Sequence, residues 1–215
     1  EALISSRINH PNVLPVLGHG EVNGQYYIVF PRVYGRTLQD QIPATGFADV
    51  RRAVRLMTTL LRALHYVWVM HDILHRDIKP GNLISLNHDD QSLYLLDFGL
   101  AICHSTNKTK TRLTVQGTVL GTLLYASPEQ AAGRLEEIRH TSDLYSVGVV
   151  LYHMLTGRVP FTSESPAFPY DLLLSIQESP PPPLRTVRPD LDPRLEAIVL
   201  KAMSKSQAAR SQTGL

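Results

Sequence analysis

A single cysteine, Cys103, stands among the 215 residues. That excludes an intrachain disulfide and suits a reducing compartment, so a cytoplasmic location is expected. Excess charge is also missing. The 21 basic and 19 acidic side chains leave a formal charge of +2, without the basic footprint of a nucleic-acid binder, and no nucleic-acid partner is expected. The most apolar stretch, Leu144 to Leu155, is broken by Ser146, Gly148 and His153 and is shorter than the about 20 apolar residues of a membrane span. No signal peptide and no internal repeat are visible. The chain opens on Glu1 rather than Met, so it is expected to be a piece of something longer. What is present is globular in character: 43% hydrophobic and 19% charged residues, enough for one domain or a large lobe with a remnant of another.

The informative stretch runs from His75 to Gly99: HRDIKPGNLI, a short gap, then LYLLDFGLA. Apolar runs of this length read as buried strands, which puts Asp77, Lys79, Asn82 and Asp97 in the loops between and beyond them. A carboxylate and an amide at strand ends can ligate a hard cation through oxygen. The other carboxylate remains to accept a proton. Such a set suits phosphoryl transfer, where a protein mainly positions groups and neutralises phosphate charge.

The same residues resemble the protein-kinase signature H-R-D-x-K-x-x-N followed by D-F-G, and the sequence is most similar to bacterial-type serine/threonine kinases. The resemblance implies an α+β, two-lobed kinase fold, mostly the helical C-lobe with a partial N-lobe. Residues 1–33 would hold the end of helix C, strands four and five and the hinge. Residues 34–215 would hold the C-lobe, with a catalytic loop over 75–84 and an activation segment over 97–129.

In chain order, Glu1 to Asn9 has helical spacing and Pro11 ends it. Strand-like runs follow at Val13 to Leu17 and Gln25 to Val33, separated by a turn with Asn and Gly. Glu1 lies nine positions before His10 and so resembles the helix-C glutamate, whose lysine partner and glycine-rich loop would lie upstream. Phe30, Pro31 and Val33 resemble a hinge: Phe30 as gatekeeper, Pro31 supplying a carbonyl, Val33 offering N–H and C=O to adenine. Ile84 joins them among the nucleotide-binding positions implied. An ordinary edge strand is the plainer reading of that run.

Thr37 caps a short helix to Gln41, and a long helical pattern runs from Phe47 to Val69. From Ala63 to His75 the chain is one residue longer than the family pattern. His65, His71 and His75 invite a metal reading, yet without companion Cys or Glu they read better as packed or surface histidines. The loop of about thirty residues from Asp97 to Glu129 carries Thr106, Thr109, Thr111, Thr114 and Thr118 and resembles an activation segment ending in Ser127-Pro128-Glu129. Thr141 to Leu155 reads as a helix stopped by Gly157. By resemblance its Asp143 hydrogen-bonds the backbone around His75-Arg76-Asp77, although a plain capping role is open too. Ser179 to Pro183 contains four consecutive prolines and must be extended. It reads as a rigid connector before a helix over Leu191 to Met203, with an SH3-type ligand as the less favoured reading. Arg210 resembles the late arginine that pairs with Glu129.

The implied chemistry is transfer of the ATP γ-phosphoryl to a protein serine or threonine hydroxyl. Asp77 would orient the hydroxyl and take its proton, Asn82 and Asp97 would hold Mg²⁺ (or Mn²⁺), and Lys79 would contact the γ-phosphate. Arg76 would couple activity to phosphorylation of Thr114, or secondly Thr118, and a homodimer would serve autophosphorylation. Without an upstream lysine and glycine-rich loop the fragment by itself is expected to be inactive and poorly soluble. A pseudokinase-type binding module and a nonkinase helical interaction protein are the rival readings; the first predicts damage at Asp77, Asn82 or Asp97, and the second leaves both motifs unexplained.

Overall fold

The computed structural model describes residues 7–86, 92–97, 102–103, 119–163 and 169–214. Its first long element is set by spacing. Ala53, Leu56, Met57, Leu60, Ala63, Leu64 and Val67 recur at three- and four-residue steps, form one stripe and are all buried. They belong to a helix over Val50–His71, here α2, which follows a short α1 over Leu38–Gln41 capped by the Thr37 hydroxyl. The helical pattern expected from Phe47 starts three residues later. Asp49 caps it through bonds from the Arg51 and Arg52 N–H groups, while the Phe47 N–H is committed to Met154 O at 2.6 Å. The helix also runs past Val69 to His71, where Asp72 closes it in the left-handed region at φ 53°.

The stripe of α2 packs on a helix buried almost all round, α5 (His140–Thr156), where every residue except His140 and His153 is inaccessible. A helix with that profile belongs at the centre of a lobe. Between the two in sequence lie the short helices α3 (Val119–Leu123) and α4 (Pro128–Ala131). After α5 come α6 (Tyr170–Glu178) and α7 (Pro193–Ala202). The last starts at Pro193 rather than Leu191, because Asp192 accepts the Arg194 N–H and caps it there. Gly157 ends α5 at φ 72°, and a Cβ on it would meet Ala44 O and Gly46 N. Gly46, also at positive φ, comes equally close to Leu155. These two glycines let the loop before α2 press onto the end of α5.

The strands are short. Gln25–Val29 forms β2 as expected, but its partner β1 is Gly18–Val22, not Val13 to Leu17. The turn decides this: Asn23 and Gly24 take φ 52° and 76°, the two-residue hairpin geometry, and so Val22 faces Gln25. Of the run expected as a strand, Pro15 has no N–H to give, Leu17 is exposed, and Val13 is buried in a single parallel bridge to Leu95. Residues 30–33, expected to continue the second strand, are irregular. The helix expected over Glu1 to Asn9 lies partly outside the described residues, as does Glu1; Arg7 to His10 are not helical.

A three-stranded antiparallel sheet takes the order β3 (Arg36–Thr37), β5 (Leu83–Ser85), β6 (Leu93–Leu95). β4 (Ile73–Leu74) pairs with β7 (Ile102–Cys103). His10 to Leu14 straps onto β6: Asn12 O accepts the Leu95 N–H, Leu14 N–H donates to Leu95 O, and the Asn12 amide donates to Leu93 O. Among the described residues no helix is long and apolar enough to cross a membrane.

Candidate active site

β4 delivers His75, Arg76 and Asp77 on a turn tight enough to put Arg76 at φ 68°. One carboxylate holds that turn. Asp143, buried on the first turn of α5, accepts the His75 N–H at 2.9 Å on Oδ2 and the Arg76 N–H at 2.8 Å on Oδ1. Trp68 of α2 adds a third bond, donating Nε1–H to Asp143 Oδ2 at 3.1 Å. Sequence reading passed over Trp68; being the sole tryptophan on the helix leading to the motif was its one available signal. A buried carboxylate needs such partners, and here both oxygens have them.

His75 is fully buried and works as a strut. Its Nδ1 accepts the Asp77 N–H at 3.3 Å and its Nε2 lies 2.8 Å from Leu96 O, a pair of bonds that fits the Nε2–H tautomer. The ring thereby ties the turn to the residue before Asp97. Among the described residues no group of three or more His, Cys, Asp or Glu could hold a metal ion.

Asp77, Lys79 and Asn82 form one cluster. Lys79 Nζ donates to Asp77 Oδ2 at 2.8 Å and to the Thr122 hydroxyl at 2.9 Å. The Asn82 amide donates to Asp77 O at 2.8 Å and to Asp77 Oδ2 at 3.0 Å. That orientation spends the nitrogen and leaves Asn82 Oδ1 as an acceptor. β5 and β6 then bring in Asp97: Leu83 pairs with Leu95, and the Leu96 N–H donates to Asn82 O at 2.9 Å. Asn82 and Asp97 therefore leave the same end of one ladder. Two neutral-or-anionic oxygen donors on adjoining strands suit a small hard cation that keeps some water and phosphate ligands.

Toward the hinge residues, Pro31 and Val33 line a groove with Leu14, Leu86 and Tyr94. Ile84 lies directly opposite Tyr94, hence on the same sheet face. The backbone N–H and C=O of Val33 make no hydrogen bond among the described residues. Phe30 is 39% exposed. On the other side of Asp77 is an apolar recess walled by Ile78, Leu123, Ala126, Leu135 and Ile138. Tyr125 also lines it, and its hydroxyl meets His153 Nδ1 at 2.9 Å. Burial raises the Tyr125 pKa and lowers that of His153, so the proton stays on the phenol, which donates.

The end of the long loop is anchored twice. Ser127 and Gln130 close a capping box on α4, and the Gln130 amide reaches Arg76 O at 2.7 Å. Glu129 is buried against Arg210: Nη1 and Nη2 donate to the two carboxylate oxygens at 2.8 and 3.0 Å. Ser142 Oγ donates to the same carboxylate, and Arg210 also donates to Ser204 O, Lys205 O and Thr141 O. Burial would raise the Glu129 pKa, but the bonds from Arg210 and Ser142 and the arginine's charge outweigh it and hold the carboxyl below its ordinary value. Arg76 differs. Burial lowers its pKa against the pull of Asp143, and its Nε has no hydrogen-bond partner among the described residues. Thr114 and Thr118 lie outside the described residues.

Comparison with known proteins agrees with this geometry. The family model described as the protein kinase domain matches residues 1–210. Serine/threonine-protein kinase PknB of Mycolicibacterium smegmatis is 39% identical over 99% of the chain and 33% of its own length. Serine/threonine-protein kinase pkn3 of Myxococcus xanthus is 37% identical over 98% of the chain and 38% of its own. For serine/threonine-protein kinase PrkC of Bacillus subtilis the identity is 35%, over 99% and 31%. The chain thus spans about a third of the length of these relatives. The crystal structure of a cysteine-to-alanine mutant of the Mycobacterium tuberculosis PknI kinase domain superposes with a TM-score of 0.71 at 24% identity, covering 99% of this chain and 71% of that one; it shows the same α+β kinase fold. That family uses ATP, typically with a divalent metal. With its catalytic-loop and Asp-Phe-Gly motifs, and with bacterial serine/threonine kinases as relatives along nearly its whole length, the chain belongs to the protein kinase domain family.

Proposed function

We propose that the protein containing this chain transfers the γ-phosphoryl of ATP to serine or threonine hydroxyls of other proteins, with residues 1–33 as part of the smaller lobe and residues 34–215 as the larger. The observation that carries the reading is the Asp77 cluster: one carboxylate oxygen is taken by Lys79 and Asn82, and the other has no hydrogen-bond partner among the described residues. That second oxygen accepts the bond from the substrate hydroxyl and takes its proton as the new P–O bond forms and the bond between the γ-phosphorus and the β-phosphate oxygen breaks, releasing ADP. Lys79 holds Asp77 against Thr122 and places its point charge beside the transferred group. Asn82 Oδ1 and the Asp97 carboxylate would hold Mg²⁺, or Mn²⁺, which when bound neutralises phosphate charge. The hinge groove takes adenine, with Val33 N–H and C=O as its hydrogen-bonding pair, Pro31 supplying a carbonyl, Ile84 on the adjoining sheet face and Phe30 as the gatekeeper residue. Glu1 would pair with an upstream lysine. The apolar recess beside Asp77 receives a side chain of the substrate next to the acceptor residue. A cytoplasmic setting supplies the ATP, and a second copy would serve autophosphorylation.

The test is a pair of substitutions in the protein that contains this chain, assayed on a generic serine- and threonine-rich protein. Asp77→Asn should abolish most turnover while nucleotide affinity holds. Asp97→Asn should weaken metal-dependent nucleotide binding as well. Equal and mild effects from both overturn the assignment and favour a binding module.

A further inference from the structure

Residues 179–182 each precede a proline, and that neighbour pushes a residue out of the helical region into extended backbone. The run Ser179 to Pro183 accordingly leaves α6 at φ −77°, ψ 135° on Ser179 and reaches Pro183 at φ −59°, ψ 134°, close to polyproline II. That helix repeats every three residues, so the run has three edges. Pro181 takes the inward edge and is half-buried, and Leu184, which follows the run and opens a 3-10 turn over Leu184–Thr186, is fully buried. Pro180 and Pro183 share a second, Ser179 and Pro182 the third, and all four are exposed. One edge rests on the molecule while two face outward along the whole run.

The hydrogen-bonding inventory points the same way. Prolines donate nothing. The carbonyls of Ser179, Pro180, Pro181 and Pro182 make no hydrogen bond among the described residues, whereas Pro183 O is taken by Thr186. The outward surface therefore offers pyrrolidine rings and bare acceptors. Two residues beyond Pro183 stands an exposed cation. Arg185 has its backbone N–H fixed by Glu196 Oε1 at 2.8 Å, and its guanidinium has no ion-pair or hydrogen-bond partner among the described residues. Acting as a connector between α6 and α7 requires the inward edge alone. It explains neither the two solvent-facing edges nor the unpaired arginine at their end.

We propose that Pro180, Pro182, Pro183 and Arg185 form a docking site for a protein module of the SH3 type, with an aromatic groove and an acidic rim. Tyrosine and tryptophan rings pack on the outward proline edges, their O–H and N–H groups donate to the bare carbonyls, and the rim carboxylates meet Arg185. A preformed polyproline helix loses little freedom on binding, so modest contact area suffices. The site lies on the α6–α7 connection, and the proposal does not depend on the phosphoryl-transfer reading.

The experiment titrates the purified protein that contains this chain into an isotope-labelled SH3 domain that takes Pro-x-x-Pro-x-Arg ligands, read by NMR shifts of the groove. Saturable shifts of the groove aromatics are expected. Pro180→Ala with Pro183→Ala should weaken binding about tenfold or more, and Arg185→Glu, a surface change that leaves the run intact, by a similar factor. Pro181→Ala, on the inward edge, should stay within about threefold of the parent. Melting curves of each variant run alongside, and Arg185→Glu decides should the double proline variant unfold. Absent shifts, or affinity indifferent to Arg185→Glu, overturn the proposal; binding to a WW domain instead overturns the acidic-rim assignment.

Discussion

Trp68 and Asp143 stand on two different helices and meet through one hydrogen bond, Nε1–H to Oδ2 at 3.1 Å. The oxygen that receives it also receives the His75 N–H, and its companion receives the Arg76 N–H. A tryptophan on α2 thus helps orient the carboxylate that shapes the turn carrying Asp77.

Trp68→Phe keeps an aromatic ring and removes the donor. Leaving a buried carboxylate oxygen one bond short costs about 1–3 kcal/mol. The variant should melt several degrees lower, and the effect should vanish in an Asp143→Asn background. An unchanged melting temperature in the parent background would show that the bond contributes nothing net.

Glu129 makes stability depend on acid. Its folded pKa lies below the ordinary value of 4.5, so the pair's contribution is fully present above about pH 4.5 and is lost as pH falls through the folded pKa. Glu129→Gln leaves Arg210 buried without its counter-charge, a loss of about 3–5 kcal/mol near neutral pH. Melting curves of parent and variant should therefore lie far apart at pH 7 and converge on acidification below about pH 4.5. A constant gap would contradict the assignment.

Gly157 at φ 72° abuts Ala44 O and Gly46 N. Gly157→Ala combines backbone strain of about 1–3 kcal/mol with a collision against backbone that cannot swing aside. Chemical denaturation should show a large loss of stability, while Gly133→Ala, at φ 68° with open space around it, should show the strain alone. Equal losses at the two sites would mean that the close approach adds nothing.

Arg76 suggests control of activity. Its Nε lacks a partner among the described residues, and phosphothreonine brings close to two negative charges that arginine binds well. On the proposal that Thr114 is that site, with Thr118 as second choice, phosphopeptide mapping of active protein should find Thr114 modified, and Thr114→Ala and Arg76→Ala should each lower the rate. Unchanged rates in both variants would exclude the mechanism.

The cluster of Asp77, Lys79 and Asn82 was legible because one short motif holds all three at fixed spacing, and the pairing of two short strands brings Asp97 to the same end of the ladder. The stripe on α2, the buried α5 and the stop at Gly157 were legible for the same reason: periodicity and a left-handed cap are written into neighbouring residues. Bonds between distant segments were legible only where the family resemblance supplied them, as with Asp143 under the His75-Arg76 turn and Arg210 on Glu129. Nothing near Val13 shows that it bridges Leu95 while Gly18–Val22 forms the strand; the turn at Asn23-Gly24 and the pull of β6 decide that together. Nothing near Asp49 shows that Phe47 is held by α5 and so kept out of α2. Trp68 entered the site through the relative rotation of two helices, which no single segment encodes. Sequence by itself determined which groups exist and which face of each element is apolar, because both are local properties. Tertiary packing alone decided the bonds that no motif announces, Trp68 to Asp143 and Phe47 to Met154, because each required two surfaces to close before its partner came within reach.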